Sequence, residues 1–386
     1  MKGSDFSSES WGRLANIAGG YAAFVPKRLP PPLPSTWALT SAVSRADRAL
    51  AELSGAARAL PNPQGLVSPF VHKEAVLSSR IEGTQASLSD LFFFESAPAP
   101  AKAGEGAPPD DVREVANYVT ALEYGLTRLE TLPVSLRLLR EQHERLMDGV
   151  GGAILTPGEF RTRQNWIGPP GSRLDDAVFV PPPVREMERC LHDLESFIHA
   201  ASDLPALVRI ALIHYQFEAI HPFIDGNGRI GRLLISLLMR SEGLLERPLL
   251  SLSAFFERRR RDYYELLLDV SRRGAWTAWI EFFLAGVEEQ ARDAVRRTSA
   301  LLELRQTYRA RFEAARSSAL LLKLVDSLLE APVLTIPQAA RRLGVTHRAA
   351  TLNVQKLVEA GVIVEVTGRG RSRIFVARGI LGAIEK

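Results

Sequence analysis

Seven groups able to do chemistry fall within twelve consecutive residues: His221-Pro222-Phe223-Ile224-Asp225-Gly226-Asn227-Gly228-Arg229-Ile230-Gly231-Arg232. An apolar helical pattern precedes the run (Leu207, Ile210, Ile213, Phe217) and another follows it (Leu233, Leu234, Leu237, Leu238). The run is therefore expected to be a loop that ends at a helix N-terminus. Gly226, Asn227 and Gly228 can turn their backbone N–H groups toward one point, and a helix N-terminus behind them favours an anion. Arg229 and Arg232, three residues apart, share a helix face, and two guanidiniums beside such a nest suit a polyphosphate. Asp225 adds a hard oxygen ligand of the kind Mg²⁺ takes together with substrate phosphates. His221, at the loop entrance, could take a proton from an incoming hydroxyl. The alternative is a purely structural loop, but scaffolding alone does not require this combination.

Several elements must position these groups. Pro30-Pro31-Pro32-Leu33-Pro34 is extended chain. Helical patterns follow over residues 36–53 and 69–79, the second ending near Glu82-Gly83, with a loop at 60–65 between them. Residues 96–109, rich in Ala, Pro and Gly, read as a flexible loop. Helices resume at 112–131 and 134–147. A β-hairpin is expected within residues 158–183, and helices then dominate from 184 to about 312. His214 and Glu218 lie one turn apart, but no third metal ligand is evident and core hydrogen bonding is the expected role. The domain boundaries expected are 1–110, 111–300 and 301–386.

The run at 221–232 resembles the Fic motif, His-Pro-Phe-x-(Asp/Glu)-Gly-Asn-(Gly/Lys)-Arg-x-x-Arg, without a departure. The likeness extends from about Pro30 to Val287. It implies a mainly α fold: a Fic helical core with a β-hairpin flap, in a protein adenylyltransferase that moves AMP from ATP onto a protein hydroxyl. Carried over, His221 is the general base and Asp225 the Mg²⁺ ligand. Asn227, with the backbone of Gly226 and Gly228, holds phosphates, and Arg229 and Arg232 pair with the outer ones. Tyr263-Tyr264 falls where family members place a tyrosine near the base; Tyr264 is the candidate, and simple packing is the alternative. Ser78-Ser79-Arg80-Ile81-Glu82-Gly83 resembles the family's inhibitory helix motif, which assigns Ser78 and Glu82 to autoinhibition, Glu82 competing with the γ-phosphate for Arg232. The same class could also run the reverse reaction. Transfer of UMP or phosphocholine stays open.

The last seventy residues read as a separate winged helix-turn-helix. Thr335 begins a short helix that Gly344 ends, Thr346 to Ala360 forms the second helix, and two strands make a wing carrying Arg369, Arg371 and Arg373. DNA contact is one expectation; dimerisation or protein docking is the other. A regulator that binds DNA and uses the Fic core to sense nucleotide or modify itself is the alternative function, and a homodimer is left open.

The 386 residues are 46% hydrophobic and 24% charged, with a net charge of +4, an ordinary globular composition. The single cysteine, Cys190, excludes a disulfide framework and is expected to be a small buried hydrophobe. The expected location is the cytoplasm, with no membrane association.

Overall fold

The computed structural model describes residues 3–58, 63–96, 109–150, 156–169, 171–313, 319–368 and 373–385. The described residues are mostly helical. In chain order they form β1 (Gly12–Asn16), β2 (Ala22–Pro26), α1 (Trp37–Arg58), α2 (Pro63–Ile81), α3 (Leu88–Ser96), α4 (Pro109–Arg128), α5 (Leu136–Leu146), α6 (Val184–His199), α7 (Ala206–Ile220) and α8 (Asn227–Ser241). There follow α9 (Leu252–Arg258), α10 (Arg260–Arg273), α11 (Trp276–Glu313), α12 (Ala319–Glu330), β3 (Val333–Thr335), α13 (Ile336–Leu343), α14 (His347–Glu359), β4 (Val364–Glu365), β5 (Ile374–Val376) and α15 (Arg378–Glu385).

Two compact units divide the chain. The first comprises residues 1–51, 117–246 and 252–290; the second comprises 52–116, 247–251 and 291–386. At the centre of the first unit lies α7, whose side chains are buried on nearly every side. A helix apolar all round must be enclosed by neighbours, and α6 and α8 pack on it. Trp279 of α11 is fully buried and donates its indole N–H to the Ala211 carbonyl at 2.9 Å. Cys190 is buried, and burial pushes its thiol up to about 12, so it packs as a small hydrophobe as expected.

The antiparallel pair β1–β2, with Gly12 opposite Pro26 and Asn16 opposite Ala22, is not legible in the sequence. Its strands are poor in β-branched residues, and tertiary burial of Ala23 and Phe24 (0% exposed) makes them strands. Any side chain at position 12 would run into the Phe24 ring. Of the hairpin expected within 158–183, the described residues show one antiparallel bridge, Ile167 to Phe179, with irregular chain around it. Gly168 and Pro169 follow the bridge residue, and prolines at 181–183 cannot donate to a ladder.

In the second unit α2 starts at Pro63, not near residue 69, so Pro69 lies inside the helix rather than in its first turn. The short helix α3 has no counterpart among the expected elements. The winged helix-turn-helix is built as expected. Thr335 and Gln338 form a reciprocal capping box on α13, Gly344 ends that helix at φ 68°, and the Thr346 hydroxyl caps α14. An extra short strand, β3, completes a sheet ordered β3–β5–β4. The loop at 60–65, through residues 60–62, and the linker at 96–109, through residues 97–108, fall partly outside the described residues, as do Arg369 and Arg371 altogether.

Candidate active site

The twelve-residue run connects α7 to α8, as its flanking patterns imply. His221 ends α7 in the left-handed region, at φ 50°, an uncommon conformation for a residue with a side chain. Its Nδ1 lies 3.3 Å from the Glu218 carbonyl. A carbonyl can only accept, so Nδ1 carries the proton and Nε2 is the basic nitrogen, the tautomer a general base needs.

The loop is held by contacts among its own residues. The Asn227 carboxamide accepts the Phe223 N–H at 2.8 Å and donates to the Phe223 carbonyl at 2.9 Å. This side chain, 2% exposed, is committed to the loop, so the anion role expected of Asn227 rests on its main-chain N–H. Gly226 adopts φ 76°, which strains any residue with a side chain, and a Cβ there would stand a tight 3.2 Å from Met147 Sδ. Asp225 Oδ1 accepts the Gly226 N–H at 2.6 Å, and Oδ2 is 3.7 Å from Arg229 Nη2. The Asp225 side chain is 54% exposed. Arg229 and Arg232 are buried in the first turns of α8. Two cations at the positive end of a helix oppose its macrodipole, and a bound anion relieves that conflict.

Three residues outside the run build its geometry. His143 of α5 is fully buried and stacks on Phe223, with ring centroids 3.9 Å apart. Its Nδ1 accepts the Gly158 N–H at 2.9 Å, so Nε2 donates to the Asp225 carbonyl at 3.1 Å. Arg161, 1% exposed, donates Nε to the His221 carbonyl at 3.0 Å, and its own N–H reaches the Pro222 carbonyl at 2.9 Å. Asn165 Nδ2 donates to the Phe223 carbonyl at 2.9 Å. A signal exists for His143 alone: with Leu138, Leu139, Gln142 and Leu146 it falls on the buried stripe of α5. Arg161 and Asn165 lie in irregular chain, where no periodicity reports burial.

His214 takes the core role expected of it. Its Nδ1 donates to the Gly231 carbonyl at 3.1 Å, and Nε2 accepts from the Tyr263 hydroxyl at 2.8 Å. Tyr263 is thus a packing residue, 1% exposed, whereas Tyr264 is 41% exposed beside the Arg260 guanidinium. Gly231 lets the Glu218 carboxylate approach; a Cβ would collide with it. In the second unit Ser78 is fully buried on α2, and Glu82 lies in the turn just beyond it, where Gly83 adopts φ 110°.

Burial lowers the pKa of His143 to about 4, helped by the Arg229 charge, and that of His214 to about 3. Both rings stay neutral in the fold while the unfolded chain takes up protons below its ordinary value near pH 6.5. Stability is therefore full above that pH and declines as pH falls toward 4, by up to about 1.4 kcal/mol per unit for each ring. Urea unfolding at stepped pH should show this slope, and His143→Gln should remove one ring's share. An unchanged slope in that variant would contradict the neutral-ring assignment.

Comparison with known proteins identifies the architecture. The Fic/DOC family N-terminal pattern matches residues 40–127, and the Fic/DOC family pattern matches 133–239, which spans the stapled loop. The chain carries a Fic domain. An HTH DNA binding domain pattern matches residues 321–381. The protein adenylyltransferase Fic of Drosophila virilis is 33% identical over 143 residues, covering 36% of this chain and 27% of that protein. The Drosophila mojavensis protein of the same name is 32% identical over 143 residues, 36% of this chain and 26% of its own. The chain thus spans about a quarter of the length of the curated relatives it matches. Among solved structures, a Fic family protein from Desulfovibrio desulfuricans covers 90% of this chain and 98% of its own, at 20% identity and TM-score 0.57. Fic-1 from C. elegans, residues 134–508, covers 69% and 74%, at 20% identity and TM-score 0.54. At that identity the likeness establishes the fold alone. No helix among the described residues is long and apolar enough to cross a membrane.

Proposed function

We propose that the Fic domain is a protein adenylyltransferase acting through the loop His221–Arg232. The observation that carries this reading is a histidine held in the base tautomer at the entrance of a loop whose other end is a doubly cationic helix start. The names of the Drosophila relatives support it. ATP lies with its phosphates against the N–H groups of Asn227 and Gly228, and against that of Gly226 once Asp225 Oδ1 gives it up to take the metal ion, with its outer phosphates on Arg229 and Arg232. Nε2 of His221 takes the proton of a Ser, Thr or Tyr hydroxyl, whose oxygen forms a bond to the α-phosphorus. The bond from that phosphorus to the bridging oxygen breaks, and pyrophosphate leaves. Charge stabilisation by the fixed donors supplies much of the rate. Tyr264, 41% exposed, is the residue proposed to stack on the base.

The residues present fit a Mg²⁺ ion of the kind that rides on a nucleotide. Such an ion needs one carboxylate and leaves its other positions to phosphates and water. Asp225 offers a half-exposed carboxylate, and no cluster of three or more protein ligands occurs among the described residues. The ion would neutralise phosphate charge. Glu82, at the end of α2, is the inhibitory residue, acting by competition with the γ-phosphate for Arg232. The inhibitory motif extends the reading to the reverse reaction, removal of AMP by the same groups with Glu82 assisting.

The experiment is incubation of Glu82→Gly protein with labelled ATP, GTP, CTP and UTP, followed by mass spectrometry of the products. AMP on a hydroxyl, on the protein itself or on an added lysate protein, is the result expected. Label from UTP in preference to ATP, or no covalent label, overturns the reading.

A second reading concerns DNA. Residues 319–386 contain ten Lys and Arg against five Asp and Glu, a net of +5, whereas the whole chain carries +4. The positive excess is thus confined to the module that matches a DNA-binding pattern. Duplex binding by this module should weaken steeply with salt as counterions are released. Replacing Arg369 and Arg371 together should flatten the slope of log affinity against log salt by about 0.9 for each phosphate no longer neutralised. Absence of binding to random and upstream duplexes at low salt would leave docking as the module's role.

A further inference from the structure

The Fic N-terminal pattern and the helix-turn-helix pattern are separated by nearly two hundred residues, yet the helix carrying the inhibitory motif folds with the C-terminal module. Both belong to the second compact unit, and within it α2 packs against α12 and α15. The buried surface of α2 is extensive. Phe70, Val71, Ala75, Val76, Ser78 and Ile81 are all buried. A helix enclosed to this degree takes its stability from its packing partners rather than from its own propensity.

Polar contacts tie the same parts together. Lys73 of α2 lies 3.9 Å from Asp293, with only 10% of its side chain exposed. Asp293 accepts from Arg297 one turn along α11. Arg297 donates in turn to the carbonyls of Ile384 at 2.9 Å and Ala383 at 3.4 Å, in the last turn of α15. Carbonyls in a last turn lack partners within their own helix, so a buried guanidinium is a strong ligand for them. Further along α11, Arg305 and Arg309 each donate to Asp326 of α12 at 2.8 Å. A side chain at Gly379, on α15, would collide with the Tyr308 hydroxyl. α11 therefore holds α12 and α15 in place, and α2 lies against both.

We infer that the α12–α15 face of the winged helix is a docking surface whose occupant is the inhibitory helix α2 of the same chain, and that the module thereby holds Glu82 in its inhibitory place. This rests on the inhibitory role proposed for Glu82. The consequence is reciprocal coupling. A ligand that alters the module alters the Fic domain's restraint, and nucleotide in the Fic domain alters the module's ligand affinity by the same factor.

The test uses the full-length chain with Arg297→Met, which cuts the link from α15, and Lys73→Met, which cuts it from α2 and keeps side-chain length. Neither touches the Fic motif. Hydrogen exchange of the α2 amides, residues 70–81, should accelerate at least about tenfold in either variant. Transfer of label from ATP should rise toward the level of Glu82→Gly and rise no further when combined with it. If α2 exchange is unchanged in both variants, α2 does not depend on the module and the docking inference is wrong. If exchange accelerates and Glu82→Gly activates, but neither link variant does, the module does not control inhibition. If Glu82→Gly itself fails to activate, the inhibitory reading falls, and exchange alone still decides the docking. Should Arg297→Met unfold, Lys73→Met carries the same outcomes.

Discussion

Replacing His221 with alanine should reduce AMP transfer by a factor on the order of 10² to 10⁴, the range a positioned general base contributes. ATP affinity should stay within about threefold of the native value, because the base acts on the attacking hydroxyl and not on the nucleotide. The structure sharpens this expectation. The imidazole of His221 bonds to the Glu218 carbonyl on its own helix, whereas the loop's shape is set by Asn227, Arg161, Asn165 and His143. Those bonds are made to main-chain atoms, not to the His221 side chain, so alanine leaves them in place. At position 221 alanine must also adopt φ 50°, a strain that His221 already carries, so stability should change little. Isothermal titration with ATP, alongside single-turnover label transfer, separates the two effects. Transfer at an undiminished rate would remove His221 from the role of base. A parallel loss of ATP affinity would show instead that the imidazole organises the nucleotide site.

Glu82→Gly should raise transfer by about 5- to 150-fold, the span of a coupling energy of roughly 1–3 kcal/mol. In the proposed mechanism the Glu82 carboxylate and the γ-phosphate compete for one guanidinium, that of Arg232, through charge-assisted hydrogen bonds. Removing the carboxylate releases Arg232 to the nucleotide. Arg232→Ala should also abolish the inhibitory contact, but it deprives the γ-phosphate of its partner, so it should not activate. The double variant should therefore behave like Arg232→Ala alone. Such non-additivity is expected only of residues that share an interaction. Kinetics on the four proteins decide it: equal activation by Glu82→Gly in both backgrounds would mean that the two residues act independently.

The reactive loop is legible in the sequence because its groups are contiguous. Base, acidic residue, glycines and both arginines lie within one turn of chain and one turn of helix, and local spacing suffices to bring them together. What orients them is not legible. His143 and Arg161 precede His221 by many tens of residues; their relation to it exists only once α5 and the irregular segment after it are packed. The winged helix shows itself at its caps, where Thr335, Gly344 and Thr346 act on immediate neighbours. β3 leaves no such sign, because three residues pair only with a distant strand, Thr335 opposite Ile374. Pro69 hides the true start of α2 for a related reason. A proline inside a helix costs a few kcal/mol, and here burial among long-range partners outweighs it.

The division of labour around the loop also bears on transplantation. Copying residues 221–232 onto another pair of helices would carry over every reactive group but not the bonds that aim them. The carbonyls of His221, Pro222 and Asp225 would lose donors from Arg161, Asn165 or His143, and that of Phe223 would keep only the Asn227 carboxamide. The smallest portable unit is therefore three discontinuous segments: part of α5, residues 158–165, and the α7–α8 hairpin. A designer seeking to graft this loop would have to rebuild all three, in register, before His221 and the arginines stood as they do here.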